Sequence, residues 1–403
     1  MKNFYFLIII SFFFVSCQAE TEVYTPLFKC SAKLYNPYGV CTHVNRKGAR
    51  NEYDSREKEV GMISSAGASF VRTDIDWNVC QPQVEGPFDF RQHLTMMESV
   101  KKKDLQVMGI LWPTVSNRSF IQYEEYIKRN VALYKKSIKY WEVVNEADQL
   151  NKRRENFTSD VYVSIVRTAN RIIKKENKHS KVLLSSVDIY EDKFYEEVFD
   201  AGVAKDFDIL NIHWYANNDT QPEGLIGYLK WVQTLSSKYG VNKPAWLTET
   251  GCTTAPSFVT EDTQAQRLPR IFLISFALGM DKVFWYKSRD NGEDYYGLWH
   301  QDYTPKPAFF AYKTITEMCP DKSTRPVLAR KDNVYVAFWK RPDKKKVWAF
   351  WTKSGERNIV VKAKGQYTCH DLKGNGLVLD EKCFIVTPNI TYIVGANDIQ
   401  IQD

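Results

Sequence analysis

Two glutamates stand where chemistry is expected. Glu146 closes Tyr140-Trp141-Glu142-Val143-Val144-Asn145-Glu146, a run of strand-favouring aromatic and β-branched residues that ends in two polar groups. Glu249 closes Ala245-Trp246-Leu247-Thr248-Glu249 in the same way. A carboxylate at the end of a buried strand is costly unless it faces a polar cleft. Taken alone, Asn145-Glu146 reads as a helix start. Taken as a pair, two carboxyl groups about 5–5.5 Å apart suit retaining glycoside hydrolysis, one as acid/base and one as nucleophile on the anomeric carbon. Repulsion between the two helps keep the acid protonated. Arg72 could hold Glu249 ionised, and Tyr215 could give it a hydrogen bond.

Such a pair has to be positioned by a scaffold, and the pattern of the chain supplies one. Strands are expected at 38–43, 69–77, 105–111, 140–144, 181–187, 207–212, 245–248 and 282–285. Helices are expected at 57–66, 90–102, 123–136, 161–175, 194–201, 228–239, 264–278 and 308–317. Eight strand–helix alternations of about this total length indicate an α/β fold, a (β/α)8 TIM barrel with buried parallel strands. Active sites of such barrels lie at the C-terminal strand ends. Arg72, Asp76, Asn145, Glu146, His213, Tyr215, Glu249 and Trp285 all fall at or near such ends. Trp112 and Tyr286 could stack on sugar faces, and Asp76 and His43 could bind hydroxyls. Asp74 shares a strand face with Arg72 and could pair with it.

The barrel is expected over 38–320. After Cys319-Pro320 the period changes to short strands at 334–339, 347–351, 358–361 and 391–394, separated by turn residues. These read as a small C-terminal antiparallel β-sandwich over 321–403. Residues 18–37 form a polar lead.

Trp141 to Glu146, Trp246 to Gly251 and His213-Trp214-Tyr215 resemble the clan A (β/α)8 retaining glycoside hydrolases, family 39 and family 5-like members among them. Tyr296-Gly297-Leu298-Trp299 and Lys306-Pro307-Ala308 resemble the segment that follows strand eight in those members. The resemblance implies Glu146 as acid/base and Glu249 as nucleophile. It implies Asn145 on the sugar 2-hydroxyl, His213 and Tyr215 at the end of strand six, Arg72 on strand two, and Trp285 as a sugar platform. It covers about Tyr38 to Glu317. Ala147 stands where a Pro usually follows Asn-Glu.

Composition bounds the remaining classes. A formal charge of +7 over 403 residues, with no basic stripe interleaved with aromatics, gives no nucleic-acid signature. The six His show no zinc-like spacing and there is no Cys-x-x-Cys, so neither metal nor cofactor is expected. The expected partner is an oligo- or polysaccharide. Met1-Lys2-Asn3 followed by the apolar run Phe4–Val15 reads as a signal peptide, too short to span a bilayer as a typical transmembrane helix. Phe14-Val15-Ser16-Cys17 resembles a bacterial lipoprotein box, which makes Cys17 the lipidated residue. Gln18 to Glu22 resembles the acidic signal of surface-exposed lipoproteins in Bacteroides-type bacteria. The expectation is an exported protein held at the outer membrane by a lipid anchor. With Cys17 set aside, an odd number of the eight cysteines remains. Cys30–Cys41 and Cys369–Cys383 are the pairings to try first. The alternative to an enzyme is a glycan-binding surface lipoprotein on a barrel that has lost catalysis.

Overall fold

A computed structural model of the chain describes residues 21–44, 53–112, 120–153, 156–186, 193–380 and 383–402. The expected signal peptide and the expected lipidation site, Cys17, lie outside these residues. Ahead of the barrel comes β1 (Glu22–Tyr24). The barrel strands are β2 (Tyr38–Cys41), β3 (Phe70–Asp74), β4 (Gln106–Leu111), β5 (Ile138–Val143), β6 (Lys181–Leu183), β7 (Leu210–Tyr215), β8 (Ala245–Gly251) and β9 (Met280–Trp285). Their order in the sheet is β6-β5-β4-β3-β2-β9-β8-β7. A parallel bridge from Leu183 to Ile209 joins the two ends and closes the ring. The expected (β/α)8 barrel is borne out.

Pleating sorts the side chains. Phe70, Met108, Trp246 and Phe284 meet in a cluster inside the barrel, with Tyr140 packed against it. Val71, Trp141, Val143, Val283 and Trp285 belong to the large core between strands and helices. Gly39 faces inward, and a Cβ there would overlap the Phe284 ring. The lumen is thus a packed core beneath the site.

The helices start and stop within a few residues of expectation, as at Arg91–Lys102, Ser159–Glu176 and Glu261–Ala277. Thr158 and Thr260 cap two of them, accepting from Val161 N at 3.3 Å and Thr263 N at 3.1 Å. Among the described residues no helix is long and apolar enough to cross a membrane.

The accessory domain holds the four expected strands and adds six that the sequence reading did not name: β1, Val327–Lys331, Thr368–His370, Gly376–Leu377, Phe384–Val386 and Asp398–Gln402. Its larger sheet runs β1-β10-β11-β12-β17-β14-β15, where β10 is Val327–Lys331, β11 Val334–Lys340, β12 Lys346–Thr352, β14 Thr368–His370, β15 Gly376–Leu377 and β17 Thr391–Val394. Its smaller sheet is β16-β13-β18, with β13 Arg357–Lys364, β16 Phe384–Val386 and β18 Asp398–Gln402. The N-terminal lead supplies the edge strand β1, paired antiparallel with β10. Three residues with one buried side chain carry too little pattern to be read as a strand. The sandwich is locked to the barrel by a buried pair: Arg270 Nη2 meets Glu223 Oε2 at 2.6 Å, and Trp351 Nε1 donates to Glu223 Oε1 at 2.8 Å.

Cys30, Cys41, Cys80, Cys252, Cys319, Cys369 and Cys383 are all free thiols, which corrects both suggested pairings. Cys41 ends β2 inside the barrel, its Sγ donating to Thr248 O at 3.2 Å. Cys30 sits beside Arg325 and Asp281, toward the opposite end of the strands. Cys369 is buried within its sheet, while Cys383 is exposed.

Candidate active site

The two glutamates meet at the C-terminal mouth of the barrel. One oxygen of Glu146, one of Glu249 and a ring nitrogen of His213 all lie within 4.8 Å of one another. Among the described residues this is also the one His/Cys/Asp/Glu group compact enough to hold a metal ion. Arg72 already pairs with Glu249, however, so the arrangement suits two reacting carboxyl groups rather than a cation site.

Glu146 is carried by a bent strand end. Val144 and Glu146 both have positive φ, +67° and +46°. A β-branched residue in the left-handed region is a strained exception, and such strain concentrates where geometry is over-determined by function. The turn leads into a short helix, Ala147–Arg153, whose Ala147 N donates to Ser185 Oγ at 2.8 Å. Both expectations for Asn145-Glu146, helix start and strand-end carboxylate, are therefore met at once.

Glu249 is aimed inward by a bulge. Along β8, Leu247 pairs with Ile212 and Glu249 with His213, so one extra residue, Thr248, sits on the β8 side. Strict alternation would send Thr248 and Glu249 to opposite faces; the bulge brings both into the barrel. Thr248 Oγ1 donates to Asn211 Oδ1 and lies 3.1 Å from His213 Nε2. With its proton committed to Asn211, the Thr248 oxygen accepts from the His213 Nε2–H. His213 Nδ1 then faces Glu146 Oε1 at 3.0 Å and Glu249 Oε2 at 3.6 Å. Neither Thr248 nor Asn211 stood out in the sequence, because a short polar side chain in a strand carries no distinctive signal.

Arg72 is the hub. Its Nη1 donates to Glu249 Oε1, and its Nη2 donates to Asn145 Oδ1 at 2.5 Å. Its Nε and Nη2 form a two-pronged bridge to Glu142, at 2.7 and 2.8 Å. Glu142 was not anticipated. The available signal was its charge in mid-strand on the inward face, a position a lone carboxylate cannot hold without a cation. Tyr215 Oη donates to the other Glu249 oxygen at 2.5 Å. Asp74, expected beside Arg72, lies instead 3.5 Å from His43.

The electrostatics mark Glu249 as the anion. Burial alone would raise Glu249, but His213, Arg72 and the Tyr215 hydrogen bond outweigh it and bring the carboxyl down to about 2. Burial likewise opposes charge on His213, yet Glu249 and Glu146 raise its basicity above the ordinary imidazole value. Side-chain exposure is 27% for Glu146 and 8% for Glu249, so Glu146 is the acid open to the cleft.

The remaining candidates divide. His43 Nε2 lies 3.4 Å from Tyr286 Oη at the rim. Trp112 is half-buried at the end of β4. Asp76 is a helix cap, accepting from Asn78 N at 2.8 Å ahead of Trp77–Cys80. Trp285 is a correction. It is fully buried, has the parity of Val283, and donates its indole N–H to Tyr296 O at 3.1 Å. It packs outward against helices and offers no face to a sugar. The inward aromatic is the next residue, Tyr286, with ring centroids 6.0 Å from Tyr215 and 5.6 Å from Tyr296.

Residues 93–275, which include both glutamates, match the family model described as the glycosyl hydrolase catalytic core. No curated protein matches the chain. Among solved structures it is similar to a family 39 glycoside hydrolase from Bacteroides cellulosilyticus, at 18% identity and TM-score 0.72, covering 90% of this chain and 81% of that one. It is also similar to a monomeric β-xylosidase from Caulobacter crescentus, at 13% identity and TM-score 0.67, covering 93% and 99%. A family 51 arabinofuranosidase from Xanthomonas axonopodis gives 9% identity and TM-score 0.67, covering 94% and 100%. The expected likeness to clan A is borne out in the fold, and residues 93–275 carry a glycosyl hydrolase catalytic core.

Proposed function

We propose that this glycosidase hydrolyses β-linked glycan with retention of configuration, by double displacement. The observation that carries the reading is the pair of carboxyl oxygens within 4.8 Å, of which one, Glu249, is pinned as an anion. In the first step Glu249 attacks the anomeric carbon as the glycosidic C–O bond breaks, and Glu146 gives its proton to the departing oxygen. In the second, water attacks the same carbon, Glu146 takes its proton, and the glycosyl–Glu249 ester bond breaks. Asn145, its Oδ1 held by Arg72, keeps its amide N–H groups for a substrate hydroxyl. The β-preference is drawn from the β-xylosidase among the similar structures and rests on fold analogy. Following the anomeric signals of a freshly cleaved aryl β-glycoside by proton NMR tests the mechanism. The β-anomer should appear first, and an initial α-anomer would exclude it.

Tyr215→Phe removes one of the donors that hold Glu249 down. Glu249 then titrates higher, so the acid limb of kcat/KM moves to higher pH. At neutral pH kcat/KM should fall about 10- to 100-fold. A pH–rate profile of the two proteins checks both; an unmoved limb would mean that Tyr215 does not act through Glu249.

We further propose that the enzyme is exported and anchored to the outer membrane, at the cell surface, through lipid on Cys17. The support is the sequence of residues 1–22. Palmitate labelling of the protein expressed in a Gram-negative host should be lost in Cys17→Ala. Equal labelling of both forms would rule this anchor out.

A further inference from the structure

Arg72 is one cation serving two carboxylates, and it serves them unequally. The two-pronged side of its guanidinium, Nε and Nη2, goes to Glu142 at 2.7 and 2.8 Å. Glu249 receives Nη1 alone. Two parallel N–H bonds from one guanidinium are the stronger arrangement and fix its orientation. Glu142 itself is wholly buried, two residues below the bend that presents Glu146, and no substrate can reach it. The strongest grip of Arg72 therefore falls on a residue that takes no part in the chemistry.

We infer that Glu142 is a positioning residue that limits how much of the Arg72 charge reaches Glu249, and so balances the two halves of the reaction. The inference rests on Glu249 being the nucleophile. A carboxylate wholly neutralised by its own guanidinium attacks carbon poorly and leaves carbon readily. A carboxylate with no cation does the reverse and is hard to bury. Sharing one guanidinium between two buried carboxylates, in a site where charge is weakly screened, holds Glu249 between these extremes. The same bridge fixes the plane of the guanidinium, which sets Asn145 through Nη2. His213 and Tyr215, the other groups on Glu249, reach it from β7 and do not touch Glu142. The hydrogen-bonded link from Glu142 to Glu249 thus runs through Arg72.

Glu142→Gln keeps the shape, removes the competing charge and leaves Arg72 paired with Glu249. The two steps can be read separately with the 2,4-dinitrophenyl 2-deoxy-2-fluoro-β-glycosides of xylose and glucose as probes. Intact mass spectrometry follows formation of the glycosyl-enzyme, and recovery of activity after removal of the probe follows its hydrolysis. In Glu142→Gln formation should slow about tenfold and hydrolysis should quicken, with the acid limb of kcat/KM shifted to lower pH. Glu142→Asp, which keeps the charge, should restore the wild-type ratio of the two rates. Both rates falling together in Glu142→Gln, with an unmoved limb, would reduce Glu142 to a structural brace and overturn the inference. So would an Asp variant that behaves as Gln does. If the wild-type protein takes no label on Glu249 from either probe, the nucleophile assignment fails first, and that result is visible before any variant is made.

Discussion

Glu249→Gln is expected to lower kcat about 10⁴- to 10⁶-fold, the scale seen when a covalent nucleophile is removed. The amide fills the same volume, its oxygen still accepting from Arg72 while its NH2 donates to the Tyr215 hydroxyl oxygen, so near-ultraviolet circular dichroism should be unchanged. What disappears is the anion that forms the bond to carbon. The buried position makes the loss severe, because at 8% exposure water has little room to take over from that side. Glu146→Ala should behave differently. Its loss should be large for natural linkages, which need a proton, and much smaller for a dinitrophenyl glycoside, whose leaving group departs without one. Added azide should then enter on the vacated side and yield a β-glycosyl azide. Undiminished turnover by Glu249→Gln on any substrate of the wild-type enzyme would sink the assignment.

Arg72→Met is expected to cost about 3–5 kcal/mol of stability, measured by urea denaturation at pH 7, besides abolishing turnover. The guanidinium is buried between Glu142 and Glu249, and its removal leaves Glu142 without its cation and Glu249 with only His213 beside it. An unpaired buried charge is destabilising to this degree, whereas loss of an exposed pair is worth about 0–1 kcal/mol. The deficit has a pH dependence. Glu249 titrates near 2 in the folded wild type against an ordinary 4.5. Its folded value is the lower one, so its contribution is fully present above 4.5 and is lost as pH falls toward 2. The gap between wild type and Arg72→Met should therefore narrow on acidification through that window. Arg72→Lys should lie between the two, since an ammonium restores charge but not the planar fork. A deficit below about 1 kcal/mol for Arg72→Met would show that the bridge is not what lets the two carboxylates be buried.

The alternation of short apolar runs with helical periodicity, repeated eight times, was enough for the barrel, because each strand and helix announces its period within a dozen residues. The same local signals placed Glu146 and Glu249 at strand ends and put Arg72 and Tyr215 within reach. Three features needed the folded chain. Glu249 faces inward because Thr248 is an extra residue against Ile212 and His213, and a bulge is a property of two paired strands rather than of one. Trp285 turned out to be core for the complementary reason: β9 runs through Val283 and Trp285 on the helix side, and the inward position passes to Tyr286. β1 found its partner β10 some 300 residues away, too distant for any local pattern to specify. Glu142 lies between the two cases. Its charge in mid-strand was visible in the sequence, but its meaning depends on which cation the closure of the barrel brings to it. Period is written along the chain, whereas register, bulges and the sharing of a buried charge arise only when strands meet.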